Sequence, residues 1–264
     1  MILNKHCRTI LKQCMNLNKS ESCLVVTDKK LISIGKSLFK NSLKVTKKSK
    51  LILTTIPKAH GTEPPKNIAN EMLKYDVVLI PTTKSLSHTK ARDNASKKGA
   101  RIASMPSITI DMMKRALNVN FKKINTLNNK LIAKFKNKTK VKIMTKKGTN
   151  IEFHTKGRKW IGDDGIYTKK GTFGNLPAGE IFIAPFENKT NGTIIADASV
   201  RGIGKVDKNI QIIVKNGFIT NVVGGKTANQ FKKSLKNKLY KNVAELGIGT
   251  NYKAKITGNV LEDE

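Results

Sequence analysis

Four short apolar runs near the start of the chain constrain its fold most. They are Ser22 to Asp28, Leu51 to Ile56, Asp76 to Pro81 and Arg101 to Ser104. Stretches with helical spacing separate them, such as Leu31, Ile34, Leu38 and Leu43. Strands that are apolar on both faces and alternate with helices imply a parallel sheet covered on both sides. Residues 1–118 therefore read as a Rossmann-like parallel α/β domain.

The pattern changes from about Val141. Lys140 to Thr145 and Asn150 to Thr155 alternate, and further short strands follow at Gly192 to Val200, Ile210 to Lys215 and Phe218 to Val223. Asn216-Gly217 is a hairpin turn signal. A helix over about Thr227 to Leu239 interrupts the strands. Residues 141–264 are thus expected to form a strand-rich α+β domain. Residues 119–140, crowded with lysine, read as a connector.

Composition limits the partners. Lys122 to Lys147 holds ten lysines and no acid, and the whole chain carries a net charge of +33. Such a charge predicts non-specific, salt-sensitive adhesion to polyanions. Lysine far outnumbers arginine, which argues against forked recognition of bases and phosphates. A basic nucleic-acid-associated protein without catalysis is nevertheless one reading. No run of about 18 apolar residues exists, so no membrane span is expected. The N-terminus reads as an amphipathic helix with Ile2, His6, Ile10 and Cys14 near one face. Cys7, Cys14 and Cys23 contain no Cys-x-x-Cys pair, and buried thiols in a cytoplasmic protein are the expectation.

Two apparent phosphate loops fail. Lys30 and Thr220 stand where Gly35-Lys36-Ser37 and Gly225-Lys226-Thr227 would each need a preceding glycine. No nucleotide cofactor is expected. The loop Pro81 to Lys90 lies after the third strand, where parallel sheets form ligand crevices. Lys84, His88 and Arg92 would suit an anion there; helix capping by Ser and Thr explains the same residues.

The acids are scarce, 18 in 264 residues. One of them, Glu180, follows the turn Asn175-Leu176-Pro177-Ala178-Gly179 and opens an apolar strand from Ile181. Such a carboxylate costs desolvation unless a cation or donor meets it. A hairpin corner with an exposed Glu is the plainer alternative.

Five blocks carry a resemblance: GTNIEFHTKGRKWIGDDG, FGNLPAGEIFIAP, NGTIIAD, NVAELGIGTN and ITGNVLEDE. In order and approximate spacing they resemble the C-terminal domain of the thermophilic aminopeptidase family, the aminopeptidase T/S metallopeptidases. The resemblance implies a cytoplasmic metalloprotease, a hydrolase that removes the N-terminal residue of a peptide substrate. It implies two divalent ions, zinc or cobalt, in a homodimer. Glu180 and Glu245 stand where that family has metal-binding Glu residues. Glu264 stands where it has the catalytic general base, with Glu262 as the alternative register. Arg158, Trp160 and Asp164 would shape the site or pack beneath it. The family's remaining ligands are a His shortly after the base and a His-x-Asp further on. This chain stops at Glu264, so the resemblance implies a truncated product with an incomplete metal site. The same superfamily includes mononuclear non-haem iron dioxygenases that open pyridine rings, and that reading is the alternative.

Overall fold

A computed structural model describes residues 3–263. The chain has a mixed α/β fold in two compact units. The first comprises residues 1–125, 163–179 and 251–254; the second comprises 126–162, 180–250 and 255–264.

The first unit is built on a five-stranded parallel sheet. Its order is Ser49–Thr54, Cys23–Asp28, Val77–Ile80, Arg101–Ser104 and Phe173–Asn175. The four expected strands are there, and Cys23–Asp28, Val77–Ile80 and Arg101–Ser104 are buried at every position. Leu24, Val26, Val78, Ile80 and Ile102 form the core of one face with Ile68, Met72 and Leu86. Helices Ile32–Ser42, Lys66–Met72 and Lys90–Lys97 alternate with the strands as the spacing predicts. The first helix, Asn4–Thr9, continues as a π-helical turn, Ile10–Cys14. His6, Ile10 and Cys14 are buried as expected; Ile2 lies outside the described residues.

The fifth strand, Phe173–Asn175, comes from far down the chain and pairs with Arg101–Ser104. Three residues including a glycine carry no strand pattern, so the sequence does not announce it. A buried polar knot fixes it. The Tyr167 hydroxyl lies 2.5 Å from Asp163 Oδ1 and 2.6 Å from the Asn175 carbonyl oxygen. A hydroxyl proton shared between two acceptors binds each weakly, and a proton on Asp163 would relieve the shortage. Burial raises the Asp163 carboxyl above the usual carboxylate range, against the opposing donation from Tyr167 and the Asn175 N–H. The native state then holds this proton more tightly than the unfolded chain. Its contribution is complete below the ordinary Asp value and is lost as pH rises through the raised native value. Urea unfolding across that window should show stability falling with pH in the wild type. The fall should be absent in Asp163→Asn, whose amide donates permanently; equal slopes would refute the assignment.

The second unit has a five-stranded antiparallel sheet in the order Phe218–Val223, Ile210–Lys215, Asn191–Ala196, Asn150–His154, Lys140–Met144. The Asn216-Gly217 turn joins the outer pair, with φ of 47° and 78° at its two residues. A smaller sheet orders Leu246–Gly249, Glu180–Ile183 and Ile161–Asp163. Ile151, Phe153, Trp160, Ile181, Ile183, Ile212, Val214 and Leu246 share one core. Most of the lysine-rich segment 119–140 is a helix, Phe121–Phe135. Phe121, Ile124, Leu131, Ile132 and Phe135 recur at helical spacing beneath the lysines, and that apolar stripe outweighs the charge. No helix among the described residues is long and apolar enough to cross a membrane.

Candidate functional site

Strands Glu180–Ile183 and Leu246–Gly249 run antiparallel, with Glu180 opposite Gly249, Phe182 opposite Gly247, and Ile183 opposite Leu246. Alternation gives the ladder two faces. Ile181, Ile183 and Leu246 are buried in the core. Glu180, Phe182, Gly247 and Gly249 share the other face, with Glu180 and Phe182 half-buried. Glu245 immediately precedes its strand and is exposed.

The glycines on this face clear space. A Cβ built on Gly247 would stand 3.3 Å from Glu180 Oε2, so the Glu180 side chain lies over Gly247, on the Glu245 side of Gly249. At Gly249 a Cβ would meet nothing within 4 Å. The run Glu245-Leu246-Gly247-Ile248-Gly249 thus alternates open positions with apolar anchors. Behind the ladder, the Asn128 side chain, from helix Phe121–Phe135, donates from Nδ2 to the Glu180 carbonyl oxygen at 2.8 Å. Asn128 Oδ1 accepts from Thr250 Oγ1 at 2.6 Å.

The other expected site residues are placed as follows. Glu264 lies outside the described residues. Glu262 is buried and its Oε1 accepts the Lys255 N–H at 3.0 Å. Trp160 is buried and stacks on Phe135 with ring centroids 5.0 Å apart. Arg158 pairs with Glu187 and lies over the Phe186 ring. Asp164 accepts from Asn125 Nδ2 and the Ile166 N–H. For Trp160, Arg158 and Asp164 these are packing contacts.

The loop after the third parallel strand is likewise accounted for internally. Thr89 Oγ1 accepts the Arg92 N–H and caps helix Lys90–Lys97. Arg92 donates to the Ser87 carbonyl and stacks over Phe173. Thr83 donates through N–H and Oγ1 to the buried Asp28. These hydroxyls and Arg92 hold the loop, while Lys84 is half-buried and His88 is exposed.

The fit of a divalent cation can be tested on this structure. Glu180 supplies a carboxylate oxygen over Gly247, whose missing side chain leaves it room. Carboxylates are suitable donors for hard and borderline divalent ions. Among the described residues no group of three or more His, Cys, Asp and Glu comes together to hold a metal. His154 pairs with Glu152, and His60 Nδ1 accepts the Ser85 N–H. The described residues therefore do not complete a cation's donor set on this face.

Sequence reasoning missed Asn128 and Phe182. An Asn inside an amphipathic helix is a weak signal, because Asn is only a middling helix former anywhere. Phe182 was visible only as one apolar residue of a strand.

Comparisons with known proteins bear on the chemistry. A comparison with curated protein sequences gave no match. The structure of 2,5-dihydroxypyridine dioxygenase from Pseudomonas putida KT2440 matches with a TM-score of 0.77 and 17% identity, over 96% of this chain and 77% of that one. AmpT from Thermus thermophilus matches with a TM-score of 0.65 and 12% identity, over 94% and 78%. At these identities both show the fold alone. The family model described as NicX, 2,5-dihydroxypyridine 5,6-dioxygenase, matches residues 8–264.

That match overturns the aminopeptidase reading drawn from the five blocks, and with it the hydrolase and protease assignment. A zinc or cobalt pair has no support; a dioxygenase family is consistent with a different metal cofactor. The physical reason for the error lies in what the blocks build. The NLPAGEIFIAP and VAELGIG blocks form the paired strands Glu180–Ile183 and Leu246–Gly249, whose buried residues belong to the core. They report the frame, and one frame hosts more than one reaction. The chain belongs to the NicX family of 2,5-dihydroxypyridine 5,6-dioxygenases.

Proposed function

We propose that this protein opens the ring of a dihydroxylated pyridine with dioxygen, using a divalent metal, iron by the redox demand of the reaction. The observation that carries the reading is the family match along residues 8–264. In the reaction the family is described by, both atoms of one dioxygen molecule go to ring carbons 5 and 6 as the bond between them breaks. No external reductant is consumed.

Glu180 and Glu245 are the residues of this chain that would hold the cation. A bound iron would supply activation of dioxygen, which amino-acid side chains alone do not provide. The chain's own groups bind and orient. Phe182, half-buried on the same face and opposite Gly247, offers an aromatic plane beside the carboxylates. A flat heteroaromatic ring stacks against such a plane in an offset arrangement. Ring hydroxyls are donors, and a carboxylate accepts them strongly in a charge-assisted hydrogen bond. This face therefore suits a planar, hydroxylated ring.

The test uses purified protein supplied with iron(II) and 2,5-dihydroxypyridine in air. Ring absorbance should decay with equimolar oxygen uptake. An intact ring alongside hydrolysis of an aminoacyl amide would overturn the proposal.

A further inference from the structure

We propose that a cavity in the first unit, walled by the π-helical turn Ile10–Cys14 and the start of helix Phe121–Phe135, binds a small organic carboxylate with an apolar body. All its lining residues belong to the first unit, so it shares none with the paired strands Glu180–Ile183 and Leu246–Gly249. The inference is independent of the ring-opening reading.

The cavity measures about 590 Å³, within the range of small-molecule sites. Its first wall is the π-helical turn. The Met15 N–H donates to the Ile10 carbonyl at 2.9 Å, and the Leu17 N–H to the Leu11 carbonyl at 2.8 Å. This wide turn sorts its side chains. Ile10, Leu11, Cys14, Met15 and Leu17 are buried. The three exposed residues of 10–17 are Lys12, Gln13 and Asn16, and all three line the cavity. Asn16 has a φ of 45°, which non-glycine residues seldom adopt. π-helical turns are rare and occur frequently at functional sites.

Residues 119–122 form the second wall, with Asn120 and Lys122 exposed and Val119 and Phe121 buried. Ile166 and Thr168, both half-buried, form the third. The Tyr167 N–H between them donates to the Cys14 carbonyl at 2.7 Å and ties this wall to the π-helical turn.

The lining decides the class of ligand. Lys12 and Lys122 are cations, and none of the described residues lining the cavity is acidic. Asp164, two residues before Ile166, is engaged by the Asn125 side chain and the Ile166 N–H. Ammonium and carboxamide groups donate strongly to a carboxylate. Val119, Phe121 and Ile166 add apolar surface, which favours a ligand with hydrocarbon to bury over a bare inorganic anion.

Benzoate would be titrated into the full chain and followed by the methyl resonances of Val119 and Ile166. Ionic strength is held constant, because salt screens exposed charges. Both residues should shift along one saturable curve. Lys12→Gln and Lys122→Gln should each weaken benzoate about threefold, and the double variant about tenfold, as two exposed ion pairs contribute. These positions are exposed, so the melting temperature should not change. Lys215→Gln, an exposed lysine of the second unit, should bind benzoate as wild type does and so excludes general adhesion to a basic chain. Benzamide, uncharged and of the same shape, should bind about tenfold more weakly than benzoate. Methyl resonances that benzoate leaves unmoved would overturn the proposal. So would equal binding of benzamide, or full benzoate affinity in the folded double variant. Inorganic phosphate displacing benzoate at equal concentration would overturn the organic class of the ligand.

Discussion

Replacing Glu180 by Gln is expected to leave the protein folded and to cut ring opening at least ~100-fold, more than the loss usual for residues that merely support a metal ligand. The half-buried carboxylate lies over Gly247 on the open face of the ladder, away from the hydrophobic core. Glutamine has the same shape, so packing is undisturbed. What is lost is the negative charge that a cation requires, and the strong acceptor that a ring hydroxyl prefers. Turnover of 2,5-dihydroxypyridine and the thermal midpoint, measured on the same preparation, separate the two effects. Full turnover in the variant would remove Glu180 from the site. A collapsed midpoint would make its role structural.

The second large effect is on stability. Gly192→Ala should destabilise the second unit by at least ~3 kcal/mol. Gly192 sits in the central strand Asn191–Ala196, paired to Ile151 on one side and Val214 on the other. Its φ is +136°, in a region that side chains rarely enter. A Cβ there would stand 2.2 Å from the Asn150 carbonyl oxygen and 2.6 Å from the Ile151 Cα. Both are main-chain atoms that cannot swing aside, so the pairing with Asn150–His154 must open. Denaturant unfolding monitored through Trp160, buried in the same core, would report it. A midpoint unchanged from wild type would show that this strand tolerates a shift the close contacts forbid.

The parallel sheet was legible because burial on both faces leaves a plain mark: Val77–Ile80 has no polar residue to confuse the pattern. The antiparallel sheet was legible through alternation and through Asn216-Gly217. Phe173–Asn175 was not, since its place is set by the Tyr167 and Asp163 hydrogen bonds and not by apolar content. The helix Phe121–Phe135 was hidden by its lysines, although its apolar spacing was present in the sequence.

Glu180 and Glu245 could be singled out because acids are rare in this chain and these two flank apolar strands. That Glu180 lies over Gly247, which follows Glu245 by two residues, comes only from the register of two strands more than sixty residues apart in sequence. The reaction was misread for a related reason. The blocks that resemble aminopeptidases are strand and turn segments whose sequence answers to packing. The residues that separate a ring-opening site from a peptide-cleaving one are few, and packing leaves no pattern around them.

The most direct measurement is isotopic. Protein supplied with iron(II) would turn over 2,5-dihydroxypyridine under labelled dioxygen, with the product analysed by mass spectrometry. The account predicts an open-chain product carrying both labelled oxygen atoms. An unopened ring, or a product whose new oxygen comes from water, would contradict it.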